Sequence, residues 1–265
     1  MPTAALRTAA SGMNAQQVNI QVIANNIANI NTTGFKKNRA EFQDLIYQDV
    51  VTNPQSTEIP GAAETTNSTV EVGSGVRTSS TQKIFTQGAL QQTSQQLDIG
   101  INGDGFFQLR KPDGTFVYTR DGSFKLSADG TIVSSSGHIL EPGFTIDGEA
   151  SEIHISKQGN VSLVQFNGDK VDLGNIDIVK FVNPAGLKSL GDNLYAETSS
   201  SGQPLIGTPG SDGYGEVHQG FLESSNVDIV QEMVNMITAQ RSYEINSKTI
   251  KSVEDMLSIA NNLKR

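Results

Sequence analysis

The sequence predicts an α+β chain: two long terminal helices, free to pair as a coiled coil, with an antiparallel β-rich domain inserted between them. Three observations carry that reading. The N-terminal stretch keeps a heptad beat of apolar side chains with no charge between Arg7 and Lys36. The C-terminal stretch repeats such a beat from Val227 to Ala260. Between them, from Val76 to about Phe221, short apolar runs are divided by Asp-Gly pairs, the strongest short-range hairpin signal.

The first helix is expected from Thr3, as a cap after Pro2, to about Ile30. Leu6, Met13, Ile20 and Ile27 fall seven apart, and Ala9, Ile23 and Ile30 take the intervening positions with Gln16 as a polar break. Amides fill much of the rest: Asn14, Gln17, Asn19, Gln21, Asn25, Asn26 and Asn29. A solvated helix face normally carries Lys and Glu. A long uncharged helix suggests packing on all sides, and copies of the same chain are the economical cover. An ordinary amphipathic helix on a globular domain is the bland alternative. Gly34 reads as the helix stop, because glycine accepts the left-handed conformation. Lys36, Lys37 and Arg39 then read as a solvated basic turn that complements the helix C-terminus.

Phe42, Leu45, Ile46 and Val50 fit a short helix or an extended arm over Glu41–Val51. Thr52 to Gly75, rich in Ser, Thr, Asn, Pro and Gly, reads as a long loop. Strands follow at Leu97–Ile101, Phe106–Leu109, Phe116–Tyr118, Ser123–Leu126 and Thr131–Val133, with turns at Pro112-Asp113-Gly114, Asp121-Gly122 and Asp129-Gly130. Further strands are expected at Ile153–Ile155, Val161–Val164 and Ile176–Phe181, giving one sandwich-like or barrel-like domain.

The last helix is expected from Asn226 to about Leu263, opened by a Ser225-x-x-Asp228 capping box variant. Val227, Val230, Val234 and Ile237 form its first stripe. Met236, Ala239, Tyr243, Ile250, Val253, Leu257 and Ala260 continue it in a shifted register, with Asn246 as a polar break. At about 1.5 Å per residue each helix runs roughly 40–55 Å. The expected boundaries are 1–33 and 226–265 for the helices, 34–75 for a connecting arm and loop, and 76–225 for the β domain.

Composition narrows the function. The 265 residues carry a net charge of −9 and a pI near 4.8, which argues against nucleic acid and anionic membrane. Cysteine and tryptophan are absent, so thiol chemistry is excluded and a sugar- or base-stacking surface is thinly provided. No basic region followed by an apolar one opens the chain, so no cleavable secretory signal is expected, and no run is apolar enough for a membrane span. His138, His154 and His218 are isolated, and no His-Glu-x-x-His motif occurs. Val72-Gly73-Ser74-Gly75 is a glycine turn, and Gly103-Asp104-Gly105 lacks the third glycine and the helix that dinucleotide binding needs. The expectation is a protein with no catalytic, cofactor or metal site.

Four segments carry a resemblance. Ala24–Asn29 through Thr33-Gly34-Phe35-Lys36 resembles the N-terminal signature of flagellar rod and hook proteins. Leu97–Phe107 resembles the start of that family's middle domain, and Tyr118–Phe124 its next recurring segment. Ser225–Val227 through Val234–Ile237 and Gln240–Lys248 is similar to its C-terminal signature. The Tyr47–Gly75 stretch resembles the distal-rod members, with proximal-rod and hook members as near alternatives.

The resemblance implies a structural subunit of the periplasm-spanning rod of the flagellar basal body, stacked helically into a hollow shaft that transmits torque. It implies copies of itself, the hook protein, proximal-rod proteins, the P- and L-ring proteins and the flagellar type III export apparatus as partners, without nucleic acid or membrane insertion. The residues expected at the self-assembly interface are Leu6, Met13, Ile20, Ile23, Asn25, Asn26, Ile27, Asn29 and Ile30 of the first helix. From the last they are Val230, Val234, Ile237, Tyr243, Asn246, Ile250, Val253 and Leu257. A secreted adhesin or lectin on a helical stalk is the competing reading from another class, and an enzyme a third.

Overall fold

A computed structural model describes residues 2–51, 69–146, 150–165 and 169–263. Helix α1 covers Pro2–Ala28 and α2 covers Ile229–Asn262. Between them run β1 (Asn38–Asp44), β2 (Tyr47–Val51), β3 (Thr69–Gly73), β4 (Val76–Lys83), β5 (Leu90–Gln92), β6 (Ile99–Asn102), β7 (Phe106–Arg110) and β8 (Phe116–Thr119). Next come β9 (Phe124–Leu126), β10 (Ile132–Ser134), β11 (Ile139–Leu140), β12 (Ala150–Ile155), β13 (Asn160–Gln165) and β14 (Lys170–Asn175). The last are β15 (Ile178–Lys180), β16 (Lys188–Gly191), β17 (Leu194–Ala196), β18 (Leu205–Gly207), β19 (Glu216–Gln219) and β20 (Phe221–Glu223). The α+β class holds, with β2–β3 and the strand pairs of the large β-rich region antiparallel.

By packing, the chain divides into two units. The first holds Met1–Asn25, Asn38–Gln82 and Val230–Arg265, and the second Asn26–Lys37 and Lys83–Ile229.

In the first unit, β1 pairs β4 and β2 pairs β3, from Tyr47 opposite Gly73 to Val51 opposite Thr69. The Glu41–Val51 region is thus extended, not helical. Of the expected loop, Thr69–Gly73 is a strand, whereas residues 52–68 lie outside the described residues. These strands rank Gln, Thr and Ser among their residues and alternate weakly, which hides them from a hydrophobic pattern. Their turn is tied to α1: the Val76 amide donates to Ser11 Oγ at 3.2 Å and Thr8 Oγ1 to the Gly73 carbonyl at 3.5 Å.

In the second unit, a nine-stranded sheet runs β16-β17-β8-β7-β11-β10-β9, with β15 also beside β7 and carrying β18. A β12-β13-β14 meander and the ribbons β6-β19 and β5-β20 complete it. Side chains alternate between sheet faces with period two, and both faces here are covered. Phe107, Val117, Ile178 and Leu194 therefore join one core with Ile101, Leu163 and Val217. Their neighbours Phe106, Tyr118, Val179 and Tyr195 join a second on the opposite face, with Phe181 and Leu187. The adjacent apolar pairs Phe106-Phe107, Val117-Tyr118 and Leu194-Tyr195 are the signature of strands buried on both sides.

Asp113-Gly114 and Asp129-Gly130 close hairpins as expected, with Lys111 donating to the Thr115 carbonyl and Ser127 to that of Thr131. Asp121-Gly122 does not. Strand β9 pairs β10 rather than β8, and a Cβ at Gly122 would sit 1.7 Å from the Ile99 carbonyl oxygen. That glycine serves a close backbone approach, with the Ile99 amide donating to its carbonyl at 3.0 Å.

Candidate assembly surfaces and a buried junction

The terminal helices present two kinds of face. On α2, Glu232, Ala239 and Val253 are buried and Asn246 half-buried, seven apart on one side. The expected seam splits around that line. Asn246, Ile250 and Val253 turn inward, whereas Val230, Val234, Ile237, Tyr243 and Leu257 are exposed. Val230 is 68% exposed, and with Met233, Val234 and Ile237 it forms a continuous apolar stripe. The residue that starts the seam in sequence, Val227, is buried ahead of the helix. The helix begins at Ile229, so Asp228 rather than Ser225 directly precedes it, while the Ser225 hydroxyl accepts from the Val227 amide.

On α1, Ala9, Ala15, Ile23 and Asn26 are buried and Leu6, Met13, Ile20 and Ile27 half-buried, as are Asn29 and Ile30 just past its end. Asn25 is exposed beside Asn14, Gln17, Gln21 and Ala24. Past Arg7, which is also exposed, the outer face is therefore uncharged amide and alanine. A Cβ at Gly12 would lie 2.9 Å from Asn246 Nδ2, so the two helices approach closely at that point.

The helix ends at Ala28, and turns carry the chain to Gly34 rather than continuing to Ile30. Gly34 takes a left-handed φ of +67° as expected of a stop, but six residues beyond the last residue of the helix. Its amide donates to the Glu223 carbonyl at 2.7 Å.

Lys36 overturns the solvated-turn expectation. It is 1% exposed and donates from Nζ to Glu223 Oε1 at 2.6 Å and to the Thr86 carbonyl at 2.8 Å. Arg120 Nε lies 3.0 Å from Glu223 Oε2, an ionic contact outside hydrogen-bond angles. The Arg120 Nη atoms donate to the Gly105 and Gly103 carbonyls at 2.7 and 2.8 Å. One buried carboxylate thus serves two buried cations. Burial pulls the Lys36 ammonium below its ordinary pKa and Arg120 pulls it further, against the opposing pull of Glu223. Nearby, Lys83 Nζ sits 5.4 Å from the Phe35 ring centroid and 5.9 Å from that of Tyr195. Of the expected basic turn, Lys37 is half-buried and Arg39 alone is exposed.

Backbone contacts surround the triad. Asn226 Oδ1 accepts from the Lys37 amide, and Asn226 Nδ2 donates to the Ile84 carbonyl, both at 2.8 Å. Thr33 Oγ1 donates to Asp121 Oδ1 at 2.8 Å. A Cβ on Gly34 would lie 2.7 Å from the Asp121 nitrogen and 2.8 Å from the Arg120 carbonyl carbon. Gly34→Ala is therefore expected to cost roughly 1–3 kcal/mol through the left-handed backbone alone, with the clash added. The check is a lowered urea midpoint together with faster exchange of the Lys37 amide. An unchanged midpoint would show that this turn is not packed as described.

Three family models match: a flagella basal body rod protein model over 6–36, the flagellar hook protein FlgE/F/G D1 domain over 100–163 and the flagellar basal body rod FlgEFG protein C-terminal model over 218–263. The flagellar basal-body rod protein FlgG of Borreliella burgdorferi is 49% identical, with 98% of each chain covered. That of Buchnera aphidicola subsp. Acyrthosiphon pisum is 46% identical over 93% of this chain and 94% of its own. That of Agrobacterium fabrum is 45% identical over 98% and 99%. The chain belongs to the flagellar basal-body rod and hook family. Its place is the flagellar basal body, and its role there is structural.

In this rod and hook protein, each matched segment supplies one member of the triad: Lys36, Arg120 and Glu223. Sequence reasoning did not join the three: Lys36 and Arg120 each lie in a segment that carries the resemblance and Glu223 is a lone carboxylate after Phe221-Leu222, but nothing in one sequence pairs residues so far apart.

Proposed function

We propose that the chain is a distal-rod subunit that stacks helically into a hollow shaft and passes torque to the hook. The observation that carries this reading is the stripe of Val230, Met233, Val234 and Ile237, exposed on a helix of a chain that matches rod proteins along nearly its whole length. An apolar stripe of this kind needs cover, and α1 adds an exposed face of amides and alanine that carries no charge beyond Arg7. Pairing of the terminal helices as coiled coils, in an inner tube of many copies, supplies it. In this reading the β-rich unit faces outward toward the P- and L-ring proteins. The hook protein and proximal-rod proteins meet the shaft ends, and the type III export apparatus delivers the subunit. The seventeen helix positions named above then form the subunit interface, some of them through the chain's own packing.

Deleting the gene and imaging basal bodies tests this. The expected result is a basal body without its distal shaft, restored by the wild-type gene. Complete basal bodies with lost surface binding would overturn it in favour of a stalked adhesin.

A further inference from the structure

We propose that the Lys36–Glu223–Arg120 triad is a latch that makes docking of the N-terminal segment Asn26–Lys37 conditional on prior docking of the C-terminal strand Phe221–Glu223. The argument is one of charge count and anchorage. Arg120 is held in place by the Gly103 and Gly105 carbonyls, neither of which belongs to a chain end. Glu223 can dock against Arg120 and the Gly88 amide, which donates to Oε1 at 2.8 Å, with Lys36 still elsewhere. Lys36 has no such freedom. Arriving without Glu223, it would be a second buried cation beside Arg120, with the Thr86 carbonyl as its one recorded neutral acceptor.

Around the triad the backbone repeats this asymmetry: the Gly34 amide needs the Glu223 carbonyl, the Phe35 carbonyl accepts from the Asn226 amide, and the Lys37 amide needs Asn226 Oδ1. The segment's bonds to the middle of the chain, Asn193 Nδ2 to the Thr33 carbonyl, Thr33 Oγ1 to Asp121 and the Ile84 amide to the Lys37 carbonyl, bring no partner to the Lys36 charge. The segment made first is thereby the segment docked last. Since it continues directly from α1, the C-terminal end of that helix lacks this anchor until residues through Asn226 are present.

Hydrogen exchange on the full chain tests the order. In Glu223→Gln, the Gly34 and Lys37 amides should exchange at least ten times faster, with the Phe107 and Ile178 amides unchanged. Adding Lys36→Met should restore much of that protection, because it removes the stranded cation. Lys36→Met alone should leave the 221–223 amides protected. Unchanged protection in Glu223→Gln, or no recovery in the double variant, overturns the latch. Should Glu223→Gln fail to fold, exchange of the wild-type chain in low urea decides. The 26–37 amides should open at or below the free energy that opens 221–223. An opening that exposes 221–223 while 26–37 stays protected overturns the proposal.

Discussion

Val234→Lys or Ile237→Asp is expected to abolish rod assembly while leaving the isolated subunit folded. Val234 is 52% and Ile237 50% exposed within the chain. A charge at either site stays hydrated in the free subunit, where surface changes usually fall within about 0.5 kcal/mol. In a packed subunit interface the same charge loses its water and finds no partner, at a cost of several kcal/mol. Helical repetition multiplies the defect, since each copy carries it. Ile23→Asp and Ile27→Lys should also block assembly, but Ile23 is 5% exposed and its loss damages the chain's own packing as well. The α2 variants separate the two effects. Lys111→Ala, beside the Asp113-Gly114 hairpin, should be tolerated. The readouts are motility, basal bodies by electron microscopy, circular dichroism of purified protein and a separate assay of export. Normal assembly of exported Val234→Lys would show that the stripe lies outside the interface.

Both helices were legible because heptad spacing and the charge gap are local signals, and α1 and α2 fall within a few residues of their expected ends. Strands such as β7 and β8 were legible as short apolar runs divided by Asp-Gly turns, but their burial on both faces was not read from them. What stayed hidden depends on distance or brevity. Strands β5 and β20 have three residues each, and Gln91 and Gln92 give no pattern. Which side of α2 turns inward was invisible because the buried line includes Glu232 and Asn246, residues that a hydrophobic reading places outside. The basic run at Lys36 looked solvated because a lone lysine usually is. Its partner lies 187 residues away.

Raising the pH from 10 to 12 is expected to unfold the β-rich unit, through Tyr118 and Tyr195. Both are nearly inaccessible, 2% and 3% exposed, and they pair directly across β8 and β17. Burial pushes each phenol from its ordinary 10 up to about 12, with Glu197 adding to the effect at Tyr118 and Glu223 at Tyr195. A phenol whose pKa is raised by folding contributes stability that is whole below pH 10 and lost as the pH climbs through 12. At about 1.4 kcal/mol per pH unit, two such groups remove roughly 5 kcal/mol, comparable to the entire stability of many domains. Lys36 and Lys83 act in the opposite sense. Burial lowers both from 10.5, so folding gains stability as the pH rises toward that value and gains nothing further beyond it. Stability should therefore hold or rise slightly up to pH 10 and then fall steeply. Tyrosinate absorbance and near-ultraviolet circular dichroism, followed together, should show a late ionisation step that coincides with loss of tertiary signal. Tyr118→Phe with Tyr195→Phe should move that loss to higher pH. All five tyrosines ionising by pH 10.5 with the dichroism intact would mean that these two rings are not buried in the second core.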